Sequence, residues 1–344
     1  MTNVCNFNCD FCPIGSSTRK PGRISLDLFK KVVDEIAETG LTQRVEFHVL
    51  GEPLLHPELN SAIAYASGKG LETSLTTNGA LLTEEKVQGL MDNGLDMIGI
   101  SLETIDEKEH GCRRTSLDFP SYYRRVIDAI ALLRNNSKVA ITIHLMNPIT
   151  KKLAALDHDV GIKSKSRHIK AQIARLIYDI LTATGEPASK VEINNLLKKV
   201  SVNSPQEIKI DSRLKIYVQL FWDWGNAFTS RKIYPAHIGY CGYALKRIGI
   251  LYDGQVTICC GDYDGKTSIG NVKERPLTEL LESSLARQVK AGFEKNRVLH
   301  PYCQWCLGST SRWKAFLKGM LSIYLFKRQG HPLEGSKKTR LSQA

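Results

Sequence analysis

Nowhere in its 344 residues does the chain carry an uninterrupted apolar run near the roughly 18–20 residues that cross a bilayer. The N-terminus lacks the charged and apolar regions of a secretory signal, so a cytoplasmic location is expected. Internal repeats and low-complexity tracts are also missing, which excludes solenoids and biased-composition linkers. Acidic residues are in deficit, 35 against 47 Lys and Arg, for a formal net charge of +12. Part of that excess sits in local runs, at 163–170 (KSKSRHIK) and from Lys314 onward. No RNA-binding or helix-turn-helix signature accompanies it, so the charge reads as solvated surface and no nucleic-acid partner is expected. Hydrophobic content of 42% and charged content of 24% are ordinary for a globular protein long enough for one large α/β domain and a smaller one.

Cysteine is not scarce. Nine cysteines in a chain expected to stay in a reducing compartment argue for metal ligation over disulfides. Cys5, Cys9 and Cys12, in CNFNCDFCP, have the spacing C-x3-C-x2-C and can converge on one metal centre. They are one thiolate short of the four that normally hold a 4Fe–4S cluster, which leaves one iron for a ligand that is not protein. Zinc would need a local histidine as fourth ligand, and the nearest, His48, lies outside such spacing. Cys241, Cys259, Cys303 and Cys306 form a second, complete set, C-x17-C followed by C-x2-C. Four thiolates suit tetrahedral zinc or a closed 4Fe–4S cluster, and spacing does not separate the two. In the doublet Cys259-Cys260 either residue is a candidate. Cys112, beside Arg113 and Arg114, reads as an incidental thiol whose pKa the arginines would lower.

From Ser25 to about Trp222, strand-like runs alternate with amphipathic helical stretches, the pattern of a parallel sheet with crossover helices. Strands are expected at 45–50, 73–77, 97–102, 140–146 and 214–221, and helices at 26–39, 83–93 and 122–134. Ser25 and Thr83 supply helix N-caps. Residues 150–212 are longer than one crossover needs and read as a helical insertion, with Ser189 and Glu192 as a capping box. Beyond residue 225 a hairpin at Asp253-Gly254, an acidic helix from Leu277 and a basic amphipathic helix at 313–328 are expected. That last helix would pack on its own barrel or touch a membrane surface or partner.

The triad with Phe11 at its aromatic position resembles the signature of the radical S-adenosylmethionine (SAM) superfamily, over roughly the first 225 residues. Leu50-Gly51-Glu52-Pro53 is similar to that superfamily's GGEP motif, with leucine for the first glycine. The resemblance implies a partial (β/α)6 TIM-like barrel, an α/β fold, with Cys5, Cys9 and Cys12 on a 4Fe–4S cluster that binds SAM. It implies Phe11 backbone against adenine, and Gly51 and Glu52 at the methionine ammonium. Polar groups at the carboxyl ends of parallel strands would face the same mouth. These are Thr77 and Asn78, then Ser101 and Glu103 as candidates for the ribose hydroxyls, with weaker cases at His56 and Asn147. Superfamily members have a full strand before the cysteine loop. Here only 1–4 precede it, so an upstream extension is expected to improve solubility.

GYC, DGQVTICCGD, IGN and PYCQWC resemble SPASM/twitch accessory domains, over 226–312, a small α+β unit, with 313–344 as a basic tail. Gly254-x4-Cys259 matches their G-x4-C element, which assigns Cys259 and makes the second metal a 4Fe–4S cluster. With no cysteine after Cys306, the shorter one-cluster twitch type is implied, similar to a cyclitol dehydrogenase. The implied activity is reductive cleavage of SAM to a 5′-deoxyadenosyl radical. An oxidoreductase acting on a hydroxylated small molecule of sugar or cyclitol type is expected, with the second cluster as electron acceptor and flavodoxin or ferredoxin as donor. The alternatives are a peptide- or protein-modifying enzyme and a non-catalytic metal-stapled binding protein. The catalytic base and the substrate are not identified by the sequence.

Overall fold

The computed structural model describes residues 1–148, 160–163, 165–198, 200–221 and 223–328. The chain enters as a loop and reaches α1 (Leu26–Thr39), where the Ser25 hydroxyl accepts from the Leu28 amide at 3.3 Å. β1 (Arg44–Glu46), α2 (Leu59–Gly68), β2 (Glu72–Thr77), α3 (Glu84–Asp92), β3 (Met97–Glu103), α4 (Phe119–Asn136) and β4 (Ala140–Asn147) follow. Thr83 caps α3 by accepting from Lys86, as its position before two glutamates suggested. After residue 160 come α5 (Ser166–Thr184), α6 (Lys190–Lys198), β5 (Gln206–Lys209) and β6 (Leu214–Leu220).

These strands make one sheet in the order β1-β2-β3-β4-β6-β5, parallel throughout except for the antiparallel edge pair β5–β6. Ile98, Ile100 and Leu102 on β3 and Ile141, Ile143 and Leu145 on β4, each set spaced by two, are all buried and line one face of the sheet in the main core. The mostly parallel sheet with crossover helices is the TIM-like α/β arrangement expected. Three details differ from the sequence reading. The strand expected at 45–50 is three residues long, because the chain leaves the sheet before Gly51 and enters a 3-10 turn at Pro53–Leu55. α2, made largely of small residues, was not anticipated, nor was β5 within the insertion. Ahead of the cysteine loop only an isolated bridge, Thr2 to Arg23, stands where a strand would run.

The described part of the insertion packs α5 against α4, with Ile169, Ile173, Leu176, Ile177 and Ile180 buried at helical spacing. The Glu192 amide donates to Ser189 Oγ at 3.3 Å, the forward half of the capping box.

A second, three-stranded antiparallel sheet follows, β7 (Gly249–Ile250), β8 (Gln255–Thr257) and β9 (Ser268–Asn271), preceded by α7 (Gly242–Lys246). Then come α8 (Leu277–Leu281), α9 (Ser284–Glu294), α10 (Pro301–Leu307) and α11 (Arg312–Ser322). Polar stitches fix this unit to the barrel. Arg19 pairs with Asp253 at 2.6 Å and donates to Gln255 at 2.7 Å, and Glu35 caps α8 through the Leu277 and Thr278 amides, both at 2.8 Å. α11 packs back through its small residues Ala315, Gly319 and Ser322, leaving Trp313, Leu321 and Tyr324 more than half exposed. No helix among the described residues is long and apolar enough to cross a membrane.

Candidate functional site

The N-terminal loop is held in shape by backbone bonds from three directions. The Asn8 amide donates to the Arg113 carbonyl at 3.3 Å and the Asp10 amide to the Cys112 carbonyl at 2.8 Å, so the segment after β3 runs beneath the loop. The Glu52 amide donates to the Val4 carbonyl at 2.8 Å, and the Trp224 indole donates to the Phe11 carbonyl at 3.1 Å. Phe7 and Phe11 point inward and are buried, while Cys5, Cys9 and Cys12 are free and partly exposed. Burial pushes the Cys9 thiol up to about 11 and Cys12 up to about 12, and Cys5 in the same direction. Cys12 also feels the charges of Cys9 and Cys5, and Cys9 that of Cys5. A metal arriving there must displace protons from all three.

Gly51 has φ +92°, and a Cβ on it would meet the Thr2 carbonyl at 2.5 Å and the Val4 carbonyl at 2.9 Å. The close approach that it permits is therefore to the chain's own entry segment. Glu52 is 1% exposed. Its Oε1 accepts from the Leu54 amide (3.0 Å) and Thr77 Oγ1 (2.7 Å), and Oε2 from the Asn78 amide (2.7 Å). That uses three of roughly four acceptor positions on a carboxylate. Burial raises its pKa despite those bonds. Asn78 then reaches the loop itself, donating to Asn6 Oδ1 at 2.8 Å with Cys5 Sγ at 3.7 Å. The end of β2 thus links Glu52 to the first cysteine.

At the end of β3 the register with β4 shifts between Ser101 and Glu103, and Glu103 takes φ +64°. This left-handed conformation is strained for a residue with a side chain. Glu103 is buried, accepts on both oxygens from Gln219 Nε2 (3.0 and 2.9 Å), and is pushed up to about 7 by burial. The Ser101 carbonyl accepts from Arg113 Nη1 at 2.7 Å. His56 and Asn147, in contrast, are scaffold. His56 uses one nitrogen on the Ile24 carbonyl (2.8 Å) and the other on the Glu58 amide (3.2 Å), and Asn147 donates to the Val202 carbonyl (2.5 Å).

An open cleft of about 480 Å³ lies over the loop, lined by Cys9, Cys12, Asp10, Arg114, Phe228 and Ser230 among others. Its wall carries an ion pair, Arg114 to Asp10 at 2.5 Å.

The second cysteine set comes from three separate places. Cys241 precedes α7, Cys259 and Cys260 follow β8, and Cys303 and Cys306 stand one turn apart on α10. Burial pushes Cys241 up to about 12 and raises Cys303 and Cys306 further. Cys303 and Cys306 each feel the charges of Cys241 and Cys259. Cys260 faces Arg247, Glu46 and Cys241 as well as its neighbour Cys259. Cys303 and Cys306 thus register Cys259, while Cys241 interacts with both members of the doublet. Asp262, fully buried, closes this loop by accepting from the amides of Lys266 (3.1 Å) and Thr267 (2.6 Å).

The two sets are joined by the turn 223–226. Trp224, Gly225 and Asn226 all have positive φ (49°, 67° and 67°), and a Cβ on Gly225 would meet Cys306 Sγ at 2.7 Å. Asn226 Nδ2 donates to the Trp305 carbonyl at 2.5 Å. Sequence reading missed this turn, Gln219 and the buried Arg113; the Trp224-Gly225 pair marked a change of texture without disclosing its contacts.

Fold and site together define a class: a TIM-like barrel whose mouth gathers three thiols on one loop, followed by a unit that gathers four. Residues 1–158 match the radical SAM superfamily, and residues 241–307 match SPASM, an iron–sulfur cluster-binding domain. The chain carries a radical SAM domain and a SPASM domain. It is 31% identical over 135 residues to the AdoMet-dependent heme synthase of Methanosarcina barkeri, a stretch covering 39% of this chain and 37% of that protein. The match thus spans little more than a third of that relative's length. Streptococcus suis SuiB bound to its precursor peptide SuiA has a similar fold, with TM-score 0.53 and 14% identity over 84% of this chain and 65% of SuiB. So has anSMEcpe with bound AdoMet, with TM-score 0.50 and 15% identity over 95% of this chain and 91% of that one.

A radical SAM domain implies a 4Fe–4S cluster and SAM, and a SPASM domain implies further iron–sulfur clustering. The residues present fit such groups. Thiolates are the ligands that iron–sulfur clusters take, all the cysteines are free, and within each set the thiols sense one another's charge.

Proposed function

We propose that this chain reductively cleaves SAM at a cluster held by Cys5, Cys9 and Cys12 and oxidises a polar, hydroxylated substrate bound in the overlying cleft. The observation that carries the reading is the connection Cys5–Asn78–Glu52. A carboxyl group with one acceptor position to spare is fixed beside a three-thiol loop, at the carboxyl ends of parallel strands. When bound, the cluster and SAM supply one-electron chemistry and a hydrogen-abstracting radical.

The protein's part is orientation and exclusion of water. Glu52 offers its free position to the methionine ammonium, and the carbonyl end of β3 around Ser101 and Glu103 faces the ribose. Glu103, held near neutrality by burial, is able to exchange a proton within the working pH range. Phe7 and Phe11 seal the floor. Asn8, Asp10, Ser16, Arg114, Thr229 and Ser230 give the cleft the hydrogen-bonding lining that a polyol requires. Cys241, Cys259, Cys303 and Cys306 close a second cluster with no position for substrate, which suits it to accepting an electron.

A second reading, a peptide substrate, is favoured by the openness of the cleft and by the similarity in fold to SuiB with its precursor peptide. Anaerobic reconstitution followed by dithionite and SAM tests the core proposal. About eight irons per chain and release of 5′-deoxyadenosine are expected; about four irons, or no 5′-deoxyadenosine, would overturn it. Deuterium transfer into 5′-deoxyadenosine from labelled cell extract separates the substrates. Label from the low-molecular-mass fraction supports the polyol, and label from the peptide fraction the alternative.

A further inference from the structure

Arg113 is the largest side chain among the fully enclosed residues, 2% exposed, and it lies directly under the cysteine loop. Its guanidinium sits 4.9 Å from the Phe7 ring centre, 5.7 Å from that of Phe11 and 5.9 Å from that of Tyr122. Nη1 donates to the Ser101 (2.7 Å) and Leu102 (3.0 Å) carbonyls, while Nε is buried with no partner. Among the described residues no carboxylate forms an ion pair with it. The two buried carboxylates within range are engaged elsewhere, Glu103 on Gln219 and Glu52 on Leu54, Thr77 and Asn78.

An arginine cannot escape the problem by losing its proton. A buried cation without an anion is among the most costly arrangements in a protein interior. Carbonyl dipoles and aromatic faces soften that cost without removing it. Glu103 and Glu52 act on the guanidinium through space without touching it, and the segment that it packs against is the loop. Phe7 and Phe11, whose rings flank the guanidinium, both belong to it between Cys5 and Cys12, and the Arg113 carbonyl accepts from the Asn8 amide of the same loop at 3.3 Å. An oxidised cubane core on three thiolates is net negative, and one-electron reduction makes it more so.

We propose that Arg113 is the built-in counter-charge of the N-terminal cluster, a positioning residue that stabilises the anionic assembly and raises its reduction potential. Net charge is one of the levers that set such potentials. The inference rests on the reading of Cys5, Cys9 and Cys12 as cluster ligands. It explains why a guanidinium with an orphaned Nε is tolerated at the centre of the barrel mouth: without a cluster it is a defect, and with one it completes an ion pair.

The test is an EPR-monitored redox titration of the reconstituted full chain, comparing wild type, Arg113→Met and Arg113→Lys, with SAM affinity and thermal melting measured alongside. In Arg113→Met the potential of the N-terminal cluster is expected to fall, while that of the Cys241-containing cluster stays in place and serves as a check on folding. Arg113→Lys, which keeps the charge, is expected to stay near wild type. Cluster loading should raise Tm more in wild type than in Arg113→Met.

An unchanged potential in a loaded Arg113→Met protein would overturn the proposal. So would weaker SAM binding at an unchanged potential, which would make Arg113 a partner of SAM. Should Arg113→Met not fold, Arg113→Lys decides: a folded protein with its N-terminal cluster lost or strongly shifted means that shape, not charge, is what the site needs. Failure of the wild type to load iron on the triad would instead overturn the underlying reading, a separate outcome.

Discussion

The two cysteine regions solve opposite problems. The N-terminal set draws three thiols from one loop of eight residues, leaves them partly exposed beneath an open cleft, and surrounds them with Glu52, Glu103 and an unpaired Arg113. The C-terminal set draws its thiols from three distant segments, with Cys303 buried and Cys241, Cys259 and Cys306 partly exposed. Its charged neighbours are already satisfied: Asp262 by the backbone and hydroxyl of Thr267, and Lys318 by the Cys306 and Gly308 carbonyls. Unmet electrostatic demand is concentrated at the first set. An incomplete ligand set, an available carboxylate position and a buried cation that no carboxylate contacts belong together, because each suits a group that the chain does not itself supply.

The largest effects should come from the ligands. Alanine at Cys5, Cys9 or Cys12 is expected to remove about four of eight irons and abolish 5′-deoxyadenosine release. Alanine at Cys241, Cys303 or Cys306 should remove the other four while SAM cleavage persists. Iron assay and chromatography check both, and equal loss of SAM cleavage from either set would erase the contrast.

Next comes Glu52→Gln, whose NH₂ group must face either the Asn78 amide or the Leu54 amide and Thr77 hydroxyl, donors that now point at carboxylate oxygens. A loss of about 2–4 kcal/mol in denaturant unfolding is expected, with SAM binding lost as well. Asp262→Asn should cost comparable stability without affecting SAM binding.

Glu103 gives a pH signature. Because burial lifts its folded-state pKa from 4.5 to about 7, the native state between those values holds a proton that the unfolded chain has released. The apoprotein should therefore lose stability as pH rises from about 4.5 to 7, by up to about 3 kcal/mol, and stay at the lower level above that range. Melting curves of Glu103→Gln should lack this slope; a slope that survives the substitution assigns it elsewhere.

The smallest effect sharpens the boundary of the first set. Cys112 is buried beside Phe11, its thiol pushed up to about 12 by burial. Cys112→Ala should leave iron content unchanged and cost about 1 kcal/mol for the space vacated. A loss of iron would make Cys112 a fourth ligand and close the set now described as open.

Much of this contrast was legible in the sequence, for local reasons. Cysteine spacing within a short loop fixes convergence without knowledge of the fold, and Ser25 and Thr83 mark helix starts through bonds that span three residues. The alternation of strands and helices likewise reports a mostly parallel sheet. What stayed hidden depends on long-range packing. Arg113 and Arg114 entered the sequence reading only as neighbours of Cys112, yet Arg114 pairs with Asp10 at the cleft and Arg113 turns into the core. Gly51 was read as making room for a ligand, whereas its neighbours are carbonyls some fifty positions away in the chain. His56 and Asn147 fell at strand and loop ends, where ligand groups gather, but their partners at Ile24 and Val202 make them struts.

The most direct test of the open-versus-closed contrast is EPR of the reduced, fully reconstituted protein recorded before and after addition of SAM, with each signal assigned through the two sets of cysteine variants. The account predicts that SAM alters the signal that disappears in Cys5, Cys9 and Cys12 variants and leaves the signal of the Cys241, Cys303 and Cys306 set unchanged. A SAM-insensitive N-terminal signal, or a response from the four-cysteine cluster, would contradict it.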